Sequence, residues 1–350
     1  MLLVSMKEKQ CDEMNKVEFD EQTSYFILNR DGIETPYAYP PKSNNLWSNL
    51  RDEDFTVVLL SNPFLHKETD CYEVEFNGSG ERGGYILPIA LLESEEATGR
   101  PLLSYIFVAY RTLLQRLDED KEATGVLSDS YKDAFVLIVH NQTIPGFNAR
   151  DYLVSLASFG FYVYKGELKD NYPELKFFEQ LPKTLNLNIN EVDNLNNGYV
   201  SDLLTNRICA TSDFLTRFVL VYQVVEVYIS EIHQKLLDSA IENYKTGVLN
   251  KNDFGEELKN ISRESYQIEQ LFAGFLEEPV SLEYKQSSLS LFEDVNYKIK
   301  NEKIPSLFYA LRNQVFHNYK MFAGHEDALY QVMFCFERVV MMFLAKKKIC

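Results

Sequence analysis

Arg312 and His317 are the residues whose types and spacing most clearly point to chemistry. They lie in the segment 305–320, which reads PSLFYALRNQVFHNYK. A histidine titrates near neutrality, so it can take a proton from a ribose 2′-hydroxyl or return one to the leaving oxygen. A guanidinium stays charged and can stabilise the negative charge that develops on phosphorus. Because RNA supplies its own nucleophile, such a pair could cleave RNA without a metal ion.

The spacing predicts that this segment is an amphipathic helix beginning near Pro305, a residue that suits a first helical turn. At about 100° per residue, one side is an apolar stripe facing a core. The stripe consists of Leu307, Phe308, Leu311, Val315 and Phe322. The other side carries polar and aromatic groups, namely Tyr309, Arg312, Asn313, Phe316, His317 and Tyr319.

An aromatic band with a polar rim indicates that a second helix packs on this side, from another subunit. One helix holds Arg312 and His317 too far apart for easy cooperation. A two-fold interface would bring one protomer's pair close to the other's. The alternative is structural: Arg312 and Asn313 brace neighbouring helices, and His317 is an ordinary interface histidine.

Residues 201–350 are predicted to form an all-α bundle. Thr211, Ser212 and Asp213 offer N-caps for a long first helix, which Gly247 ends. Further helices are predicted over 254–276 and 282–299, from Pro305, and from Gly324 to the lysines at 346–348. The lengths and short loops are typical of a bundle.

The sequence before residue 201 predicts a mixed α/β domain over 22–200, after a flexible N-terminus at 1–21. Strands are predicted at 24–28, 55–60, 71–76 and 134–140, with a further apolar run at 85–92 and a strand over 159–166. Helices are predicted at 102–116 and 149–158. The Asn-rich segment 171–200 favours turns and marks the domain junction. The predicted fold class is therefore α+β.

The net charge of −17 is unevenly distributed. Residues 1–200 hold 32 acidic and 18 basic side chains, a balance of −14, whereas residues 201–350 hold 20 and 17, a balance of −3. Neither part is basic, which argues against a broad surface for long nucleic acids. A small site for single-stranded RNA loops is compatible with this balance.

The five scattered cysteines form no C-x-x-C pair, so they predict neither a zinc site nor a disulfide framework. No apolar run approaches the roughly 20 residues that span a bilayer, and the N-terminus lacks the pattern of a signal peptide. These features predict a cytoplasmic protein without membrane contact. Asp70, Glu73 and Glu75 resemble a metal-nuclease triplet, but alternating glutamates are typical of a solvated strand face.

The segment Leu311–Tyr319 resembles the HEPN superfamily of ribonucleases, which carry an arginine and, after four to six residues, a histidine on a late helix of a bundle. The pattern R-x4-H-x-Y, with Asn313 after Arg312 and Tyr319 after His317, is similar to HEPN toxins of toxin–antitoxin pairs. The long first helix, with Glu226 in its middle, is similar to helices of larger HEPN defence proteins. The resemblance covers about 205–350.

The resemblance implies that Arg312 and His317 are catalytic and that Asn313 supports them. It implies a homodimer with a composite cleft that cleaves RNA, including tRNA, with no metal or cofactor and leaves a cyclic phosphate. In the toxin branch the tyrosine matching Tyr319 can be adenylylated. Glu226 would line the site, or would simply pair with a base across the bundle.

We therefore expect an endoribonuclease of antiviral defence, abortive infection or growth arrest, restrained by its N-terminal domain and answering to a viral trigger protein or an antitoxin. One alternative is a non-catalytic dimerisation or interaction module built on the same helices. Another is a CRISPR-linked HEPN ribonuclease gated by a cyclic nucleotide, although no glycine-rich loop supports it.

Overall fold

The computed structural model describes residues 16–20, 22–30, 33–39, 50–62, 70–94, 100–117, 126–131, 134–164, 181–189, 198–211, 213–273, 275 and 278–346. They form two compact units. The first comprises the described residues up to Arg150 together with 161–164 and 181–188, and the second comprises 151–160 and the described residues from 189 onward. The predicted flexible N-terminus, apart from 16–20, and most of the predicted junction at 171–200 lie outside the described residues.

Within its described part, the first unit contains two β-sheets and three helices. The strands are β1 (Lys16–Asp20), β2 (Tyr25–Arg30), β3 (Ile33–Ala38), β4 (Phe55–Ser61), β5 (Tyr72–Phe76), β6 (Arg82–Pro88), β7 (Ala134–His140), β8 (Tyr162–Val163) and β9 (Thr184–Leu187). The helices are α1 (Ile89–Leu92), α2 (Arg100–Gln115) and α3 (Leu127–Ser130).

The larger sheet has six strands in the order β8-β4-β7-β6-β5-β9, and the smaller has the order β1-β2-β3. Both are antiparallel in every described pair except β5 with β9, which is parallel. The apolar run that predicted a buried strand at 134–140 forms β7, which lies between β4 and β6 and is buried almost throughout. The strands predicted at 55–60 and 71–76 are confirmed as β4 and β5.

Three local expectations were wrong in detail. Residues 16–20 form β1, where no regular structure was predicted, because they pair with β2 over all five positions. The apolar run at 85–92 is divided at Pro88 into the end of β6 and the short helix α1. The predicted strand at 159–166 is confined to the two residues of β8 in the described part.

An aromatic cluster joins the three-stranded sheet to α2. Phe26 of β2 stacks on Tyr110 of α2 at a centroid distance of 5.2 Å and lies 5.1 Å from Phe107. Phe19 and Tyr39 make edge contacts with Phe107 at 5.2 and 5.6 Å. The smaller sheet is thus attached through ring packing, which contributes beyond the buried area alone.

Gly84 is required by the close approach of β6 to β7. A Cβ atom built on Gly84 would lie 2.3 Å from the carbonyl oxygen of Ile138, a backbone atom that cannot rotate away. We expect Gly84→Ala to lower the free energy of unfolding by about 1–3 kcal/mol, as overpacking does elsewhere. Urea denaturation followed by circular dichroism would measure it.

Gly255 is the matched control for that substitution. It lies in a helix of the second unit, and a Cβ atom there would meet nothing within 4 Å. Gly255→Ala should raise the free energy of unfolding by about 0.5–1 kcal/mol, since alanine loses less backbone entropy. Equal stability of the two variants would contradict the steric explanation.

The second unit is helical in its described residues. It contains α4 (Leu153–Ser158), α5 (Gly198–Asp202), α6 (Phe214–Lys245), α7 (Lys251–Ile261), α8 (Glu264–Leu271), α9 (Pro279–Asp294), α10 (Ile304–His317) and α11 (Glu326–Lys346). The helix α4, predicted as part of 149–158, is buried along its whole length within this unit.

The second unit follows the predicted order of helices, with two differences. The helix predicted over 254–276 is interrupted at Ser262 and Arg263, which end α7 and cap α8. The next helix begins three residues earlier than predicted, because Pro279 occupies its first turn, and it ends at Asp294 before Asn296 adopts a φ of 53°.

The helix α11 corrects the expectation that no segment could span a bilayer. Residues Glu326–Ala345 are long and apolar enough by length and composition, but 67% of the most apolar window is buried inside the protein. The central helix of a bundle meets the same criteria, because its residues face neighbouring helices on most sides.

A buried ion pair joins α6 to α11. Nε and Nη2 of Arg217 each donate to a carboxylate oxygen of Glu337 at 2.6 Å, and Nη1 donates to the carbonyl of Ile208 at 2.7 Å. Both side chains are almost fully buried. The fork geometry satisfies both charges without water, so this contact fixes how the two longest helices meet.

Cys71, Cys209 and Cys335 form no disulfide bond with one another, and Cys11 and Cys350 lie outside the described residues. Burial raises the pKa of Cys71 and of Cys335 to about 11. Both thiols therefore stay protonated at neutral pH, which is typical of packing cysteines rather than nucleophiles.

Candidate functional site

The helix α10 has the two faces that the sequence predicted. Leu307, Phe308, Leu311 and Val315 are buried, whereas Tyr309, Phe316 and His317 are exposed and Arg312 and Asn313 are partly exposed. Pro305 lies in the first turn, and α10 ends at His317 because Asn318 leaves the helical conformation with a φ of −146°. Periodicity alone therefore places Arg312, Asn313 and His317 on the side away from the core.

The guanidinium of Arg312 lies against two aromatic rings. Its Cζ is 5.8 Å from the ring centroid of Tyr222 on α6 and 5.3 Å from that of Phe316 on α10. Nη1 donates to Oδ1 of Asn313 at 3.0 Å, and Nη2 lies 3.9 Å from Oε1 of Glu226. The side chain of Arg312 keeps 26% of its surface exposed.

Arg312 retains hydrogen-bonding capacity. Its Nε is buried and has no hydrogen-bond partner within the described part of the chain. Glu226, which is 51% exposed, is too distant at 3.9 Å for a hydrogen bond with Nη2. A buried donor without a partner normally costs free energy and calls for an explanation. The buried Nε is not itself accessible, but Nη2 makes no hydrogen bond within the described residues and could donate to an anion at the exposed edge of the guanidinium.

Tyr222 and Glu264 belong to this site and were not identified from the sequence. The hydroxyl of Tyr222 donates to Oε1 of Glu264, the first residue of α8, at 2.6 Å. Burial raises the pKa of Tyr222 above its usual range, and the hydrogen bond to Glu264 raises it further. The phenol is therefore neutral at every working pH. No local pattern in the sequence indicated its contact with Arg312.

His317 is the exposed last residue of α10, and its imidazole makes no hydrogen bond or ion pair with another described residue. Five residues of α-helix separate it from Arg312 by about 7.5 Å along the axis and about 140° around it. The structure thus keeps both side chains accessible, but it does not bring them together within one chain.

Tyr319 lies beyond the end of α10, in a short 3-10 turn over Tyr319–Phe322. The residue is 37% exposed and lies near Tyr330 of α11. Partial burial raises its pKa, and the neighbouring Tyr330 raises it further. Tyr319 is therefore a protonated, accessible phenol, and it is not in the cluster around Arg312.

Asp213 caps α6, which carries Tyr222 and Glu226. Its side chain accepts a hydrogen bond from the backbone N–H of Thr216 at 2.7 Å, which confirms one of the three predicted caps. Replacing an N-cap aspartate with alanine typically costs about 1 kcal/mol. We expect Asp213→Ala to lower the free energy of unfolding by about that amount and Asp213→Asn by much less, as measured by thermal unfolding. Equal losses in both variants would contradict the capping role.

The carboxylates near β5 do not form a site. Glu73 pairs with Arg82 of the neighbouring strand at 2.9 Å, and burial alternates along β5, as a half-solvated strand requires. His140 packs edge-on against Phe55 at 4.9 Å. No cluster of three or more His, Cys, Asp or Glu residues suited to a metal ion occurs in the described ranges.

The site is therefore a small cluster at the outward face of α10. Arg312, Asn313, Glu226, Tyr222 and Glu264 are joined by contacts, with His317 exposed near the end of the helix. Comparisons of the chain with protein-family models, with curated proteins and with solved structures gave no match.

Proposed function

We propose that this protein is a metal-independent endoribonuclease of the HEPN type, with Arg312 and His317 as its catalytic pair. The observation that carries the proposal is the state of Arg312. Its guanidinium contacts two aromatic rings, and its Nη2 makes no hydrogen bond within the described residues, on a helix whose outward side also carries His317. In a dimer, a phosphodiester could reach Arg312 of one copy and His317 of the other.

The chemistry uses the ribose of the substrate as nucleophile. The 2′-oxygen forms a bond to phosphorus while the bond from phosphorus to the 5′-oxygen breaks, which gives a 2′,3′-cyclic phosphate and a 5′-hydroxyl. One imidazole takes the proton of the 2′-hydroxyl, and a protonated imidazole gives one to the leaving oxygen. Arg312 stabilises the charge on the phosphoryl oxygens, and Asn313 restrains the guanidinium through its 3.0 Å hydrogen bond.

Two imidazoles and two guanidiniums require two copies of α10. The exposed rings of Tyr309 and Phe316 supply an apolar surface beside the site, and aromatic residues are enriched at the centres of protein interfaces. We therefore propose a homodimer whose cleft is composite. In this arrangement each His317 works near the Arg312 of the other copy, because the two residues of one helix diverge.

We propose further that the enzyme acts in abortive infection or growth arrest, where cleavage of cellular RNA such as tRNA must be restrained. The first unit, which is larger than a simple linker and has its own sheets and core, is the proposed restraint. Its partner would be a viral trigger protein or an antitoxin. If Tyr319 is a modification site, its exposure and its position outside the Arg312 cluster would let it be altered without disturbing that cluster.

The test is incubation of the purified protein with tRNA and with total RNA in the presence of EDTA. We expect cleavage, products that end in a 2′,3′-cyclic phosphate, and a dimer in light scattering. A protein that is folded and dimeric but leaves every RNA intact, with and without added divalent cations, would support the second candidate, a non-catalytic interaction module. The exposed aromatic rings on α10 favour that candidate if catalysis fails.

Gating by a cyclic nucleotide has less support. Enzymes gated in this way place the nucleotide on a Rossmann-like parallel sheet. In the described residues of the first unit, the only parallel pair is β5 with β9. A titration with cyclic oligonucleotides that leaves the melting temperature unchanged would agree with this difference.

A further inference from the structure

Tyr222 connects Arg312 to Glu264 across three helices. Its ring, on α6, lies under the guanidinium of α10, and its hydroxyl donates to the carboxylate at the start of α8. Its ring centroid is 6.5 Å from that of Phe316, so the two rings flank one cation. Tyr222 itself is almost completely buried.

The charges along this connection favour a fixed guanidinium. A phenol that donates to a carboxylate shifts electron density onto its ring, because hydrogen bonds in a low-dielectric interior polarise one another. A ring face with more electron density attracts a cation more strongly, and the attraction grows where water is excluded. The carboxylate of Glu264 gains from the positive end of α8. The charge of Glu264 thus strengthens the attraction between the Tyr222 ring and Arg312, without a direct ion pair that would occupy the guanidinium.

The contacts of Arg312 with Glu226 and Asn313 do not by themselves hold its guanidinium firmly, and the ring of Tyr222 adds to them. A close, bidentate carboxylate would hold Arg312 firmly but would use the donors that a phosphate needs. Glu226 is at 3.9 Å, and Asn313 accepts one hydrogen bond only. Ring contacts with Tyr222 and Phe316 restrain the guanidinium without using its hydrogen-bond donors, so Nη2 stays available to a ligand.

We infer that Tyr222, held by Glu264, is a positioning residue that orients the Arg312 guanidinium towards a phosphodiester as it is cleaved. The inference rests on the proposed ribonuclease function, which it deepens by adding two residues to the site. Tyr222 does not touch the reacting atoms; it acts through Arg312.

The kinetic test compares variants of the full chain under single-turnover conditions, where slow residual cleavage is resolved. Tyr222→Leu should lower the maximal cleavage rate at least tenfold, with the half-saturating protein concentration changed less than twofold. In the Arg312→Ala background it should change the residual rate less than twofold. Tyr222→Phe and Glu264→Ala each remove the same hydrogen bond, so they should lower the rate equally, and the double variant should be no slower than either. If the rate losses of Tyr222→Leu and Arg312→Ala multiply in the variant that carries both substitutions, the inference is wrong.

Tyr228→Leu is the matched control. Tyr228 is a buried tyrosine of the same helix, six residues and about 9 Å further along the axis. It should lose stability as Tyr222→Leu does while keeping the cleavage rate of the native chain within twofold. If the two leucine variants lose activity in parallel, Tyr222 contributes only to folding and the inference is wrong.

A second measurement does not depend on cleavage. The Nε–H signal of Arg312 in a ¹⁵N-correlated NMR spectrum, assigned through its loss in Arg312→Lys, should be shifted upfield by the flanking rings. Tyr222→Leu should move it towards the position of a free arginine, and Tyr228→Leu should not. A signal that Tyr222→Leu leaves in place overturns the inference even if RNA is cleaved. If Tyr222→Leu moves the signal but the native chain cleaves no RNA, Tyr222 still positions Arg312 and the proposed ribonuclease function is wrong.

Discussion

Replacing His317 with alanine is expected to lower the rate of RNA cleavage by about 10²–10⁴-fold, which is the usual contribution of a positioned acid or base. Replacing Arg312 with alanine should cost about 10²–10³-fold, as the loss of one preorganised charge-stabilising donor does in other enzymes. Each variant removes a group that acts only as charge moves in the transition state. Cleavage of a labelled RNA under single-turnover conditions would measure both.

Two substitutions elsewhere in the second unit are matched controls. Arg207 is an exposed arginine paired with Asp202 at 2.6 Å, and His233 lies on α6. Arg207→Ala and His233→Ala should cleave RNA at the rate of the native chain. All four variants should remain folded, with a cooperative melting transition, because none of the four side chains belongs to the buried core. Wild-type cleavage by His317→Ala or Arg312→Ala would remove the assignment.

The faces of α10 could be predicted because they depend only on the helical repeat. Leu307, Leu311 and Val315 recur at spacings that place them on one side, and all three are buried. The side chains between them must then point outward, which places Arg312 and His317 correctly. The cap at Asp213 was predictable for the same reason, since its hydrogen bond reaches only three residues along the chain.

The contacts of Arg312 could not be predicted, because they join positions that are far apart in sequence. Tyr222 precedes Arg312 by 90 residues, and its ring is one of many apolar positions on α6. Glu264 is found at the site only because the predicted helix 254–276 is interrupted before it, so that α8 begins with its carboxylate towards Tyr222. Nothing in the local sequence distinguishes such tertiary contacts from ordinary core packing.

The strand order of the first unit also could not be predicted from the sequence. Each apolar run indicated a strand, but pairing of β4 with β7 and of β5 with β9 brings together segments separated by helices and loops. The run at 134–140 indicated a fully buried strand without saying that its neighbours would be antiparallel. Register and direction are fixed by long-range packing, and the periodicity of one strand carries no information about them.

Removing one member of the buried pair Arg217–Glu337 should destabilise the protein more than the loss of the Asp213 cap does. Arg217→Met removes the guanidinium that pairs with the buried Glu337 carboxylate, together with the hydrogen bond to Ile208. Breaking a buried pair in this way costs about 3–5 kcal/mol. Glu337→Leu should cost a similar amount, because it leaves a buried guanidinium. Urea denaturation of each variant would measure the loss.

The double variant Arg217→Met/Glu337→Leu separates the pair's attraction from the cost of burying it. Replacing both charges with apolar groups of similar size is often neutral or stabilising, because no charge then has to be desolvated. Here the carbonyl of Ile208 still loses its donor, which should leave a residual loss of about 1–3 kcal/mol. The double variant should therefore be more stable than either single variant. Strictly additive losses would mean that the two side chains act as independent packing groups. None of the contacts given for Arg312 involves Arg217 or Glu337, so cleavage per folded molecule should be unchanged in the double variant. Stability and catalysis can then be separated on the same helix.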